Sequence, residues 1–274
     1  MTFVCSLASG SSGNCLLVSD GRTNILVDAG ISLRRAEKCL AQLGITGRDI
    51  AAVLITHEHS DHISGLASIT GKFGMPVYAA RETARYIRFF MPETEGLVRE
   101  FCAGESFELG GTGVLSFLTP HDTPESVGYK LCTAEGKIGI VTDLGHVPRR
   151  VFSAVCDSDM LILEANHDID TLKRGRYPYF LKRRILGMYG HLSNDDCAQT
   201  ACEAAESGAR HIVLAHLSIE NNTPEMAYGA VCSRLTAIGA NVGTDLELDV
   251  APRSAMSKMY VLNKDRGSRC LKSE

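Results

Sequence analysis

Four side chains suited to binding metals, His57, His59, Asp61 and His62, fall within the six positions His57-Glu58-His59-Ser60-Asp61-His62. No regular helix or strand points residues so closely spaced at one centre, so a loop must fold them around something. Imidazoles and carboxylates without a thiolate suit Zn, Mn or Fe, and the donor types do not choose among them. The competing reading is a solvated polar loop. An apolar run before the cluster and the stretch Ile63 to Phe73 after it argue for a built site instead.

Other candidates share one context. Six short apolar runs each end on a carboxylate or an imidazole. Asn24 to Val27 ends on Asp28, Ala52 to Thr56 on His57, and Val114 to Thr119 leads through Pro120 to His121. Ile138 to Thr142 ends on Asp143, Met160 to Leu163 on Glu164, and His211 to Ala215 on His216. Ligands of α/β proteins bind at the carboxyl ends of strands, so these six residues are expected at one site. Taken singly, His121 or His216 is as readily a core or surface histidine.

The elements that must position them read as α/β. Phe3–Ala8, Cys15–Ser19 and Asn24–Asp28 form a β-meander, with Asp20-Gly21 as the hairpin signal. Ser32 caps a helix to Leu43 that buries Ala36, Cys39, Leu40 and Leu43 and stops at Gly44. Ser193 to Ser207 is a second helix, with Asp195 and Asp196 in its first turn. The chain from about Arg253 onward is expected to be poorly determined, and 264–274 a loose tail behind one domain over 1–263.

Composition limits the functions open to it. The 274 residues are 45% hydrophobic and 22% charged, the balance of a folded globular chain. A net charge of −4 means that attraction to nucleic acid, if present, must be local. No window approaches the ~18 apolar residues of a membrane span. The ten cysteines are scattered without a CxxC pair and no secretory signal opens the chain, so reduced thiols in a cytoplasm are expected. No obligate protein partner is readable.

The hexad resembles the HxHxDH signature of the metallo-β-lactamase superfamily, and the later landmarks follow in that family's order. The resemblance implies an αββα sandwich of two mixed sheets with helices outside. It implies that His57, His59 and His121 hold one divalent ion and Asp61, His62 and His216 a second. Asp143 would lie between them, with Asp28 bracing the histidine loop from behind. Two ions about 3.5–4 Å apart, sharing a hydroxide as nucleophile, are then expected; Zn and Mn both suit the ligands, and Fe stays open.

Fold does not name the reaction, but three features narrow it. Pro120-His121-Asp122-Thr123-Pro124-Glu125-Ser126 resembles a stretch of ribonuclease J. Glu164 in Leu163-Glu164-Ala165-Asn166-His167 and His191 in Gly190-His191-Leu192-Ser193 resemble the ribonuclease Z pair that protonates a leaving oxygen. The segment 173–184 packs six cations into twelve residues of an acidic chain. There Lys173, Arg174, Arg176, Lys182, Arg183 and Arg184 can grip phosphates, and Tyr177 can stack on a base.

Leu7 to Asn14, Thr56 to His62, Glu164 to Asp168, Gly175 to Pro178 and Leu214 to Ser218 resemble, across nearly the whole chain, the YycJ (WalJ) family of bacterial single-domain proteins. That likeness implies a metal-dependent 5′-to-3′ exonuclease on double-stranded DNA, with Asp61 orienting the nucleophile and His191, backed by Glu164, as acid. The alternatives are a hydrolase of small phosphodiesters or thioesters, a nuclease of RNA, or a non-catalytic DNA-binding regulator. His146 receives no role, and the Ser9–Asn14 loop is either a phosphate cradle or a tight hairpin connection.

Overall fold

A computed structural model describes residues 1–262 of the chain. Its first half supplies β1 (Phe3–Ala8), β2 (Cys15–Ser19), β3 (Asn24–Val27), β4 (Ile50–Ile55), β5 (Val77–Ala80) and β6 (Val98–Phe101). The second half supplies β7 (Ser106–Leu109), β8 (Thr112–Leu118), β9 (Val127–Cys132), β10 (Lys137–Val141), β11 (Met160–Glu164), β12 (His211–Ala215) and β13 (Glu247–Val250). A short β14 (Tyr260–Val261) returns to the edge of the first sheet, so the orders are β14-β1-β2-β3-β4-β5-β6 and β13-β12-β11-β10-β9-β8-β7.

The strand period of two explains how the sheets stack. On β3, Ile25 and Val27 face the layer between the sheets while Leu26 faces the helices outside. On β12, Val213 and Ala215 point to that inner layer, and Ile212 and Leu214 point away. Strands buried on both faces this way need apolar residues at every position, which is why they read as continuous apolar runs. Three apolar layers result, one between the sheets and one under the helices on each side. The architecture is the expected αββα sandwich of two mixed sheets.

The first sheet is covered by α1 (Leu33–Gln42), α3 (Leu66–Phe73) and α4 (Arg81–Phe90), with the single turn α2 (Ser60–Ile63) before α3. The second is covered by α5 (Arg149–Val155), α8 (Asn194–Glu206) and α9 (Pro224–Ala237); between α5 and α8 the chain forms α6 (Ile169–Arg174) and α7 (Tyr179–Ile185). Ser32 and Ser193 cap their helices as expected, accepting from Arg35 N and Asp196 N.

Strand direction gathers the site. β3 and β4 run parallel, β10, β11 and β12 run parallel, and β8 lies antiparallel to β9, which is antiparallel to β10. The carboxyl ends of β8, β10, β11 and β12 therefore emerge at one edge of the second sheet.

One expectation needs correction. The residues after Arg253 are not loosely placed up to 262. The Arg253 guanidinium donates to the Ser218 carbonyl at 2.6 Å, Ser257 N donates to Ser6 O at 2.8 Å, and Tyr260 pairs with Val4. These partners are over two hundred residues away in sequence or come from another loop, so no local pattern announces them. The proposed tail 264–274 lies outside the described residues. All nine described cysteines are free thiols, and no described helix is long and apolar enough to cross a membrane.

Candidate dimetal active site

The hexad is a loop only in its first half. His57 to His59 leave β4 irregularly, and His59 then stands at the N-cap of α2, which carries Asp61 and His62. One helical turn turns those two side chains to the same centre as the loop histidines. The liganding atoms of His57, His59 and His121 lie within 4.8 Å of one another, as do those of Asp61, His62 and His216. Asp143 joins both neighbourhoods, its Oδ1 4.0 Å from His121 Nε2 and its Oδ2 3.5 Å from His62 Nε2. The structure thus brings together all seven residues assigned to metal.

Four of the five histidine rings, those of His57, His62, His121 and His216, are aimed by a partner on Nδ1. Thr56 Oγ1 lies 3.0 Å from His57 Nδ1, Asp28 Oδ2 2.7 Å from His62 Nδ1, the Gly190 carbonyl 3.1 Å from His121 Nδ1, and Glu164 Oε1 2.9 Å from His216 Nδ1. A ring that donates from Nδ1 keeps its Nε2 lone pair for a metal, and such outer partners are the usual support of a metal site. The Nε2 atoms of His57, His121 and His216 and the Oδ2 of Asp143 are buried without a hydrogen-bond partner. A buried polar atom left unpaired costs about 1–3 kcal/mol, so four converging on one spot fit divalent cations and little else.

Charge follows the same division. Burial depresses the pKa of His57, His59 and His121, and neighbouring imidazoles add to it, so these rings stay neutral. Burial would do the same to His62, but the charges of Asp28 and Asp143 raise it to about 10. Asp143 and Asp61 likewise hold His216 well above its usual range. In metal-free protein those two rings keep protons that a bound cation would replace.

Three of the strand-end residues take left-handed backbone: Asp28 at φ 62°, Asp143 at φ 58° and His216 at φ 56°. For a residue with a Cβ this conformation costs roughly 1–2 kcal/mol, less for aspartate. The turn throws each side chain out of its sheet toward the site, a placement of strain typical of functional residues. Asp28 reaches Thr56 N at 2.9 Å as well as His62, behind the cluster.

Several contributors were not singled out from sequence. Asn14 Nδ2 lies 3.1 Å from Asp61 Oδ2 and Asn14 N donates to Asp61 O at 2.7 Å, so the Ser9–Asn14 loop is a brace for α2. Ser9 Oγ accepts from His216 N at 2.8 Å. Asp122, next to His121, lies 3.4 Å from His121 Nε2 and 3.8 Å from His59 Nε2 and pairs with Arg184. Thr56 had a signal, a hydroxyl beside the first histidine; Asn14 had one only as the end of the Ser9–Asn14 loop, and nothing there pointed to Asp61. His146, left without a role, lies 3.1 Å from the Met188 carbonyl through Nδ1.

Gly30 is where the brace is tightest. A Cβ there would sit 1.6 Å from the Asp61 carbonyl oxygen. Gly30→Ala should therefore cost about 3 kcal/mol or more, lowering the melting temperature by roughly 6–12 °C in a thermal scan and displacing Asp61. An unchanged melting curve would contradict this packing.

The cluster floors a cleft lined by Ser11, Asn166, Tyr177, Leu181, Arg184 and Ser218 among others. His191, at its edge, lies 2.8 Å from Glu164 Oε1 through Nδ1 and is one-fifth exposed. Glu164 is fully buried and meets the cleft only through His191 and His216. Of the basic segment, Tyr177 and Arg184 line the cleft. Arg176 and Arg183 are exposed, as are Lys173 and Arg174 on α6, where Arg174 lies 3.8 Å from Asp170. Lys182 departs from the expected phosphate grip. Its ammonium donates to the carbonyls of Lys173 and Gly175 at 2.7 Å each and ties α7 to the end of α6.

Fold and site together define a metallo-hydrolase. Residues 8–216 match the sequence model of the Metallo-beta-lactamase superfamily. Over 259 residues the chain is 36% identical to Exodeoxyribonuclease YycJ of Bacillus anthracis, spanning 93% of this chain and 97% of that protein. It is 35% identical to Exodeoxyribonuclease WalJ of Streptococcus pneumoniae serotype 2 strain D39 over 91% of this chain and 94% of that protein. The fold superposes on the metallo-beta-lactamase fold protein YhfI of Bacillus subtilis with a TM-score of 0.69, covering 94% of this chain and 100% of that one at 14% identity. The chain belongs to the metallo-beta-lactamase superfamily and, within it, to the YycJ/WalJ family.

Proposed function

We propose that this metallo-hydrolase is an exodeoxyribonuclease that shortens duplex DNA from its 5′ ends. The observation that carries the reading is the wall of the cleft. Tyr177, Leu181, Arg184 and Ile185 come from a segment with six cations and no carboxylate between Asp170 and Asp195. On an acidic chain that concentration suits a phosphate backbone. The names of the YycJ and WalJ relatives support the same substrate.

Two divalent ions, Zn or Mn, held by His57, His59, His121, Asp61, His62, His216 and Asp143, would supply charge neutralisation on the phosphodiester and an activated water. The chain's own groups do the rest. Asp61, one-fifth exposed, presents its carboxylate toward the cleft, where it orients the nucleophile. Glu164 accepts from His191 Nδ1, and it is as the imidazolium, with that contact kept, that His191 gives its Nε2 proton to the departing 3′ oxygen of the scissile bond. That oxygen leaves as a poor alkoxide unless protonated, which makes a positioned acid worth about 10²–10⁴ in rate. Arg184 and Tyr177 hold the strand while this happens.

The test uses chelated protein reloaded with Mn or Zn and given 5′- and 3′-labelled duplex, the single strand and matched RNA. Stepwise shortening from the 5′ end of the duplex, absent after chelation, is the expected result. Turnover of a small ester or thioester with no cleavage of DNA would leave the metal site and discard the nuclease.

A further inference from the structure

The outer face of α7 is apolar and uncovered. Leu181, Arg184 and Ile185 line the cleft, but Tyr179 and Phe180 are 76% and 73% exposed, and Met188 and Tyr189 just beyond the helix are exposed too. Arg183 Cζ lies 6.0 Å from the centroid of the Tyr179 ring. Large aromatic groups massed on a surface mark a binding face. A second copy of the chain fits poorly there. A two-fold interface would set the cations of this segment against their own copies, with no carboxylate in the segment to offset them. A polyanion carrying flat π faces satisfies both the arginines and the rings.

The inner face of α7 is thus one wall of the cleft whose floor is the metal cluster, and Tyr179 and Phe180 are turned out to solvent. In a duplex end opened so that one strand enters this cleft, α7 would stand between the two strands. We propose that α7 is a wedge. The strand to be cut passes its inner face, along Tyr177 and Arg184, and the first unpaired bases of the complementary strand stack on Tyr179 and Phe180 outside. Stacking of this kind is tolerant of sequence because every base has a π face, so it suits an enzyme that must open any end. The inference rests on the exodeoxyribonuclease reading and adds to it how the duplex is engaged.

The experiment compares a blunt duplex with a fork whose end carries several unpaired bases, using metal-loaded protein and the Tyr179→Ala/Phe180→Ala chain. The wedge requires the ratio of blunt to forked rates to fall about tenfold in the double variant. It also requires Tyr179→Trp/Phe180→Trp to restore the ratio. An unchanged ratio, with both rates lowered alike or neither lowered, overturns the wedge and leaves the nuclease intact. Failure of the tryptophan pair to restore the ratio overturns stacking as its basis. A parent chain that degrades neither DNA overturns the nuclease reading and the wedge with it.

Discussion

An Asp143→Asn chain should melt within a few degrees of the parent and turn over DNA at least about a thousandfold more slowly. Both halves follow from the same position. Asp143 is buried at φ 58° with His62, His121, His191 and His216 all within 4.0 Å of its carboxylate. Asparagine is the residue that best tolerates left-handed backbone after glycine, so the fold is kept. What disappears is the one carboxylate shared by both neighbourhoods of imidazoles. Asp143→Ala should add a loss of stability of roughly 1–2 kcal/mol, because alanine has neither the polar side chain nor the tolerance. Melting curves and rates on labelled duplex check the pair. A near-normal rate in Asp143→Asn would remove Asp143 from the centre of the site.

That position shows what a reader of the sequence can and cannot see. The strand ending on Asp143 is visible because Ile138 to Val141 must be apolar on both faces of a buried strand. The left-handed turn is not, because its usual signals are glycine and asparagine, and here tertiary packing imposes it on Asp28, Asp143 and His216 instead. The gathering of strand ends was legible as a pattern, and parallel pairing of β10, β11 and β12 is its physical cause.

The basic segment was legible as charge and only partly as geometry. A cluster of cations in sequence does not say which stems turn inward. Lys182 shows this: its ammonium is drawn to two free carbonyls at the end of α6, an interaction between neighbours in space. Asn14 was hidden for a related reason. Its amide matters only because Gly13, Asn14, Gly30 and Asp61 meet across two loops that share no sequence pattern.

Glu164→Gln is expected to be as damaging as the loss of a metal ligand, although Glu164 lies behind the cleft. Four donors converge on its carboxylate: His191 Nδ1 at 2.8 Å and His216 Nδ1 at 2.9 Å on Oε1, Leu144 N and Leu192 N at 3.1 Å on Oε2. Burial would raise its pKa, but the charge and hydrogen bond of His191, then those of His216, pull it well below the usual carboxylate range. An amide cannot accept at all four places. Turned one way, its NH₂ faces two backbone N–H groups and leaves them unpaired, at about 1–3 kcal/mol each. Turned the other way, it forces His191 and His216 into the opposite tautomer, which puts a proton on the His216 Nε2 meant for a cation and holds His191 as a neutral ring, too weak an acid to protonate the leaving oxygen. The rate on DNA should therefore fall at least about a thousandfold, combining weakened metal affinity with lost proton donation.

A leaving group separates the two causes. A 4-nitrophenyl phosphodiester departs without needing a proton, so His191→Ala should slow its cleavage far less than that of DNA. Glu164→Gln should slow both, because it also releases His216. If Glu164→Gln instead spared the nitrophenyl substrate as His191→Ala does, Glu164 would serve the acid alone, and its contact with His216 would play no part in holding the metal.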